Sequence, residues 1–313
     1  MKRIDTTVRS IRKVAEGYFE LRFAWELPDN GDPVIGDPVI GDPVIGDPAI
    51  GNPAIGNPAI GNPAIGAPSI GGHVNGGHAG DDSPAPGRFV TIRAGGRYDP
   101  ALRRPFAFSD YSPDAREAAI VFQLRGRGTA FLADLKPGDP LDVLGPLGKG
   151  FGSPPRSTRP VLVAGGIGIG PMLYLASALA ARADAGLGEA PTLAMGFRSA
   201  AYVPGLPLPP GAVVCTDDGS YGYEGTVADY LAGYDPGLPP AFYACGPAPM
   251  MAAVGRLAAA RRAPYEAAVE QWMACGVGAC AGCAVPLKSG AFVRACADGP
   301  VLDGDLVDWE ASL

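Results

Sequence analysis

Polar and apolar residues alternate through the first two dozen positions, from "KRIDTTVRSIRKV" into "GYFELRFAW". A period of two predicts a pair of half-buried strands. The beat returns at "GRFVTIRAG" (87–95) and again through "VFQLRGRGTAFLADLKPGDPLDVLGPLGKGF" (121–151), interrupted by Gly/Pro turns and one short helical stretch, "TAFLADL". Short strands separated by such turns predict a small antiparallel barrel. After residue 155 the pattern changes. "RPVLVAGGIGIGPMLYLASAL" reads as an apolar strand, a Gly-rich turn and an amphipathic helix. "TLAMGFRS" (192–199), "AVVCTDDGS" (212–220) and "AFYACGPAPMM" (241–251) follow as successive strands, each ending in small or polar residues. Apolar strands alternating with helices predict a parallel sheet. "AVPLKSGAFVRAC", near the end, has a hairpin pattern. The expected fold is multidomain β and α/β: an antiparallel barrel over 1–155, a parallel α/β domain over 156–262, and a small module over 263–313.

One segment belongs to none of these. Eight pentads, "GDPVI" passing to "GNPAI" and "GAPSI", fill residues 31–70 between two barrel strands. Pro in every pentad blocks ladder pairing, while Asp/Asn-Pro and Gly favour recurrent turns. Residues 31–80 therefore read as a low-complexity insertion in a barrel connection. Added length there costs little, roughly 0.6 kcal/mol of loop closure per doubling. His73 and His78 sit in its Gly-rich tail and lack further metal ligands nearby.

Composition narrows the function. The chain of 313 residues carries a formal net charge of −7 and no Lys/Arg block, which argues against a nucleic acid or an anionic membrane as partner. The N-terminus shows no apolar signal-peptide core. Residues 161–181 contain no charge, but Gly165, Gly166, Gly168, Gly170 and Pro171 cut that run into strand and helix, so it is not expected to span a bilayer. The expected location is the cytoplasm. Thiols stay reduced there, and the six cysteines are expected as ligands or core residues.

Four of them form a pattern. Cys275, Cys280, Cys283 and Cys296 are spaced C-x4-C-x2-C-x12-C. The first three match the plant-type 2Fe–2S loop, which is followed by a distant fourth cysteine. Three thiolates from one tight loop need small residues between them, and Gly276, Gly278, Ala279, Ala281 and Gly282 are small. Structural zinc usually shows two short Cys pairs, and a redox C-x-x-C would need a strand–helix context. The spacing favours iron–sulfur. Cys215, at a strand end, has no assignment.

Gly165, Gly166, Gly168 and Pro171 suit a phosphate on a helix N-terminus, because no side chains stand in the way. Cys245, Gly246 and Pro247 end the last parallel strand, and ligands bind at such carboxyl ends. In the barrel, Arg104 is a fixed cation at a strand end, suited to a diphosphate. Gly128 and Thr129 offer backbone N–H groups and a hydroxyl. Taken singly, these two features read equally well as an ordinary strand end and a helix cap.

In series, barrel, nucleotide domain and cysteine module resemble the ferredoxin–NADP reductase superfamily. Within it the chain is most similar to the electron-transfer subunits of NAD-linked (class B) dihydroorotate dehydrogenase. "LRRPFAF", "GRGT", "VAGGIGIGP", "YACGP", "WMACGVGACAGC" and "RACADGPVLDGDLVDW" carry the resemblance, which spans the chain outside 31–80. It implies an FAD-binding barrel, an NAD-binding domain and a ferredoxin-like 2Fe–2S module. Arg104, Pro105, Phe106 and Ala107 would line FAD, Val121, Phe122 and Gln123 would pass along it, and Gly128 and Thr129 would hold its diphosphate. The family has Ser or Thr where this chain has Ala107, and Ser109, on the same strand face, is the expected substitute. The implied activity, in pyrimidine biosynthesis, takes electrons from an FMN-containing catalytic subunit through 2Fe–2S and FAD to NAD⁺. No catalytic acid or base on this chain is required. The catalytic barrel, roughly 250 residues, has no room here, so a partner is implied, in a heterotetramer of two plus two. The alternative is an NAD(P)H-linked reductase subunit of a hydrogenase, sulfide dehydrogenase or ferredoxin system. Arg198, after the second nucleotide strand, is a candidate for a 2′-phosphate contact. Trp272, beside the cluster loop, is expected in core or interface packing.

Overall fold

The computed structural model describes residues 2–26, 83–95 and 99–311. The pentads, His73 and His78 lie outside the described residues. β1 (Lys2–Ala15) and β2 (Tyr18–Ala24) form the hairpin that the period-two pattern predicts. With β3 (Phe89–Ile92), β4 (Arg104–Ser112), β5 (Glu117–Gln123) and β6 (Pro140–Leu147) they close an antiparallel barrel in the order β1-β2-β5-β4-β3-β6. Alternate residues fill its interior, among them Leu21, Phe23, Val90, Ile92, Phe108 and Ile120, all fully buried. Closure leaves the sheet no free edge. A short helix, α1 (Arg127–Ala133), links β5 to β6.

The second half is an α/β sheet. β7 (Arg159–Gly165) leads into α2 (Ile169–Asp184), then β8 (Thr192–Phe197), β9 (Val213–Thr216) and β10 (Tyr223–Glu224). After α3 (Val227–Gly233) the chain returns to β11 (Pro240–Cys245), α4 (Ala248–Arg261) and β12 (Tyr265–Ala268). These six strands are parallel in the order β10-β9-β8-β7-β11-β12. The chain moves outward from β7 and comes back on its other side, which puts the topological switch point between β7 and β11. Strands buried on both faces need continuous apolar runs, and Val161 to Ala164 supply one. The charge-free run of the sequence becomes α2. It belongs to the one described helix long and apolar enough to cross a membrane. Here Ile169, Met172, Leu175 and Leu179 bury one side of it in the domain core.

The C-terminal segment contributes a hairpin, β13 (Ala284–Pro286) and β14 (Phe292–Arg294), and then β15 (Val301–Asp303). β15 pairs antiparallel with β12. Both strands lie within 263–313, so the nucleotide sheet runs past the 262/263 division read from the motifs. The cysteine module is no detached bead either: its core of Cys283, Val285, Ala295, Cys296 and Val307 is completed by Phe89 and Leu147 of the barrel. Residues Asp298 to Val301 make the three-way joint. The Lys149 amide donates to the Gly299 carbonyl at 2.6 Å, and the Val269 amide to the Pro300 carbonyl at 2.9 Å. A Cβ on Gly148 would stand 2.5 Å from Pro300 Cδ, so only glycine lets the barrel approach this closely.

Candidate functional site

At the switch point two loops touch backbone to backbone. Register pairs Cys245 of β11 with Ala164 of β7, which brings Gly165–Gly168 against Cys245–Pro247. A Cβ on Gly246 would stand 2.9 Å from Gly165 Cα. One on Gly168 would overlap the Cys245 carbonyl and stand 2.5 Å from its carbon. Gly166 adopts φ +52°, the left-handed region that glycine occupies at no steric cost. The turn then opens α2, whose first N–H groups have no intrahelical partners. Pro171 stands in that first turn, where a missing N–H costs nothing. Burial pushes the Cys245 thiol up to about 12, so it is a neutral wall of the cleft.

The tip of the β1–β2 hairpin docks on this edge. The Glu16 amide donates to the Ala201 carbonyl at 3.0 Å, and the Gly205 amide to the Val14 carbonyl at 2.8 Å. The Tyr18 hydroxyl would lie 3.4 Å from a Cβ on Gly166. Burial raises the Tyr18 phenol, and Arg125 and Arg198 are close enough to oppose that. Register sets Gly165 of β7 beside Gly196 of β8, so Arg198, two residues beyond Gly196, is level with the Gly-rich turn. The outer strand β9 lies on its far side. Sequence reading missed Tyr18, because alternation marks it only as a strand residue.

In the barrel, β4 and β5 pair only from Phe108↔Ile120 to Ser112↔Glu117. Below that point they separate. Arg104 to Ala107 pair with β3, and Val121 to Gln123 pair with β2. A wedge opens between these two stretches, with the Phe106 and Phe122 rings 5.8 Å apart at its base. Gly128, just past the end of β5, packs under Arg104: a Cβ there would meet Arg104 Nε at 3.0 Å. Arg104 Nη1 also donates to the Leu102 carbonyl. The wedge with a guanidinium at one end fits a flat ring system bearing a diphosphate. Two expectations change in detail. The Thr129 hydroxyl accepts from the Arg125 and Gly126 amides at 2.9 and 3.1 Å, so it caps α1. Ser109 is buried with its hydroxyl unpartnered and packs against Gly170 of α2. It therefore belongs to the seam between the two domains.

The four cysteines gather in two pairs. Cys275 is within hydrogen-bond reach of Cys280, and Cys296 of Cys283. Among the described residues no three His, Cys, Asp or Glu side chains surround a single metal-sized point. A two-iron cluster is larger than one ion and takes two thiolates per iron, so two pairs fit it better than one knot would. Backbone donors face the sulfurs: Val277 N to Cys275 Sγ at 3.4 Å, Gly278 N to Cys296 Sγ at 3.1 Å, Gly282 N to Cys280 Sγ at 3.5 Å and Cys296 N to Cys283 Sγ at 3.4 Å. The loop reaches this shape with φ +70° at Gly276, +84° at Gly278 and +54° at Ala281. The Val277 amide lowers the Cys275 thiol to about 6, while burial raises Cys296 to about 12. Backbone donation thus favours the thiolate form of Cys275, the form that binds a metal. Arg294 ties the site together through Asp298 at 3.2 Å and the Gly278 carbonyl at 2.9 Å. Its basic-then-acidic i,i+4 spacing in "RACAD" was a signal available in the sequence.

Trp272 is not core. It is 91% exposed, and the same module exposes Val277, Phe292 and Leu306.

Comparison with known proteins agrees with this layout. Residues 270–308 match the family described as the iron–sulfur cluster binding domain of dihydroorotate dehydrogenase B. The dihydroorotate dehydrogenase B (NAD(+)) electron transfer subunit of Desulforamulus reducens is 35% identical over 233 residues, 72% of this chain and 87% of that protein. That of Geobacillus thermodenitrificans is 39% identical over 222 residues, 69% and 84% of the two. Among solved structures, a chain of an NADH-dependent reduced ferredoxin–NADP oxidoreductase superposes with a TM-score of 0.67 at 24% identity, covering 98% of this chain and 90% of that one. The last likeness speaks for the fold alone.

Proposed function

The chain belongs to the family of electron-transfer subunits of NAD-dependent dihydroorotate dehydrogenase B, and from that premise we propose how its parts divide the work. It is an oxidoreductase subunit with an iron–sulfur binding domain on a ferredoxin-reductase-like FAD fold, and as a subunit it has a catalytic partner. In our reading the partner is the FMN-containing dihydroorotate-oxidising subunit, in an assembly of two plus two in the cytoplasm. The cofactors here are FAD and 2Fe–2S, with NAD⁺ as co-substrate. When bound, a cluster exchanges electrons singly and a flavin exchanges them singly or as hydride, which is what joins a one-electron carrier to a nicotinamide.

The residues supply position. Cys275, Cys280, Cys283 and Cys296 would hold the cluster. Arg104 would clamp the FAD diphosphate over Gly128, next to Thr129. Pro105, Phe106 and Ala107 on one side of the wedge, and Val121, Phe122 and Gln123 on the other, would flank the ring. Gly165, Gly166, Gly168 and Pro171, with Cys245, Gly246 and Pro247, would receive the dinucleotide. The observation that carries this division is the contact of the cluster loop with β3, the strand beside the flavin strand β4: a Cβ on Gly276 would stand 3.0 Å from Thr91 Cγ2, and Thr91 pairs directly with Pro105. A cluster held by the loop against β3 and a flavin held along β4 would lie close enough to exchange electrons. Co-purification with a dihydroorotate-oxidising subunit should give NAD⁺ reduction that neither subunit gives alone. A complex that forms and carries no such rate would return the chain to the alternative, a reductase subunit of another system.

Two smaller outcomes follow. Arg198, level with the Gly-rich turn, would serve the dinucleotide diphosphate and not a 2′-phosphate. Arg198→Ala should raise KM for NADH and NADPH alike, by about tenfold, or ~1.4 kcal/mol. A loss confined to NADPH would reinstate the 2′-phosphate reading. Trp272, as an exposed anchor on the cluster module, would be buried by the catalytic partner. Trp272→Ala should weaken that association by about 2 kcal/mol with iron and FAD contents unchanged, as calorimetric titration would report. An unchanged affinity removes it from the interface.

A further inference from the structure

Thr91 poses a problem that the proposed function leaves open. It is 3% exposed, and its hydroxyl, fully buried, has no hydrogen-bond partner. Buried hydroxyls in folded proteins are almost always paired, and each exception calls for an explanation. The usual one for Thr, a strand residue that turns its hydroxyl to water, fails here because no solvent reaches it.

Its place in β3 says what it faces. Val90 and Ile92 point into the barrel core, so strand alternation sends Thr91 to the outside, with Phe89. Phe89 belongs to the core of the cysteine module, beside Leu147, Cys283 and Cys296. The methyl of Thr91 is the atom nearest to where a Cβ on Gly276 would stand, and Leu147 Cδ1 comes next at 3.8 Å. Gly276 follows the first cysteine of the loop directly. Around Thr91, then, are apolar side chains and the loop that carries Cys275. No backbone carbonyl of that loop takes the Thr91 hydroxyl, and the other acceptors such a loop brings are sulfurs. The backbone amides already aimed at Cys275, Cys280, Cys283 and Cys296 come from the cysteine module itself; Thr91 would be a donor supplied by the barrel.

We propose that the Thr91 hydroxyl donates a hydrogen bond to a sulfur of the iron–sulfur centre, on the side of Cys275, and so raises the reduction potential of that centre. The inference rests on the assignment of the four cysteines to a cluster. Hydrogen bonds to cluster sulfurs offset the charge gained on reduction and are one of the protein's levers on potential. Thr91 acts through the sulfur and is a positioning residue, not a catalytic one. Its neighbour across the ladder is Pro105, so the same strand pair that would carry the flavin sets the potential of the centre next to it.

The test compares Thr91→Val, which keeps the shape, with Thr91→Ser, which keeps the hydroxyl, in the full chain assembled with its catalytic partner. Iron and FAD contents are measured first, then the midpoint potentials of both centres by redox titration followed by EPR and visible absorbance. The expected result is a more negative cluster potential in the valine variant, with the reduced fraction at a fixed NADH/NAD⁺ ratio down several-fold. The serine variant should stay near wild type, and the flavin potential should hold in both. An unshifted cluster potential in the valine variant, or a shift confined to the flavin, overturns the proposal while leaving the cluster assignment intact. An unsubstituted chain that binds no iron after reconstitution overturns the assignment itself, and the proposal with it.

Discussion

Cys280→Ala is expected to abolish dihydroorotate-dependent NAD⁺ reduction while leaving NADH-driven reduction of a small artificial acceptor within about twofold of wild type. The loss should reach at least about a thousandfold, ~4 kcal/mol in barrier terms. Of the four cysteines, Cys280 is the exposed one, so its removal leaves no hole in the module core. Cys283 and Cys296 are buried there, and replacing either would confuse loss of ligand with loss of packing. One thiolate fewer leaves the outer pair, Cys275 and Cys280, unable to hold its iron. The barrel wedge and the switch-point loops share no residue with that pair, so FAD content and NADH binding should persist. The measurements are iron and FAD per chain and the two activities side by side. Iron content and cluster absorbance that survive the substitution would sink the four-cysteine assignment.

How much of this fold and site is legible in the sequence depends on how local each signal is. The cluster loop is read easily because three ligands fall within nine residues and small residues between them are a steric requirement of the loop itself. The parallel strands are read because burial on both faces forces unbroken apolar runs, and their small or polar ends mark where each stops. The flavin wedge is different. It exists because β4 and β5 stop pairing at Phe108, next to a register shift between Phe108 and Asp110, and nothing in "RPFAFSDYS" announces a shift. Only family likeness selected Arg104 to Ala107 and Val121 to Gln123 as facing stretches. The return of β15 to the nucleotide sheet was equally silent. A three-residue strand carries no period, and its partner β12 lies more than thirty residues back in a different motif. For Trp272 the core half of the expectation fails and the interface half stays open. Aromatic size argues for burial on average, but an aromatic beside a ligand loop is held outside when the loop turns its sulfurs inward. For Arg198 the sequence orders the strands but does not say which ribose or phosphate each strand end meets.

Gly168→Ala should be the most damaging single change at the nucleotide site. The added Cβ would overlap the Cys245 carbonyl and stand 3.0 Å from the Gly246 amide. Those atoms are backbone, so no rotamer change relieves the clash. Either the Gly-rich turn or the Cys245–Pro247 loop must move, and each would then lose its aim at the same ligand. Overpacking of this kind costs about 1–3 kcal/mol of stability, which for a chain of this size lowers Tm by several degrees. Affinity for NADH should fall further, by about a hundredfold or ~2.7 kcal/mol, because two loops lose register together. Iron and FAD contents should stay near two and one per chain respectively, since neither site includes Gly168. Gly233→Ala is the matched control: it lies in α3, has no neighbour within 4 Å of a new Cβ and no positive φ, and helix propensity favours Ala there. Titration of NADH into the two variants, followed by flavin absorbance, separates the outcomes. Wild-type affinity in Gly168→Ala would mean that the contact between these loops does not shape the nicotinamide site. Loss of FAD and iron together with NADH binding would mean that the turn holds the whole chain together and is not specific to the nucleotide.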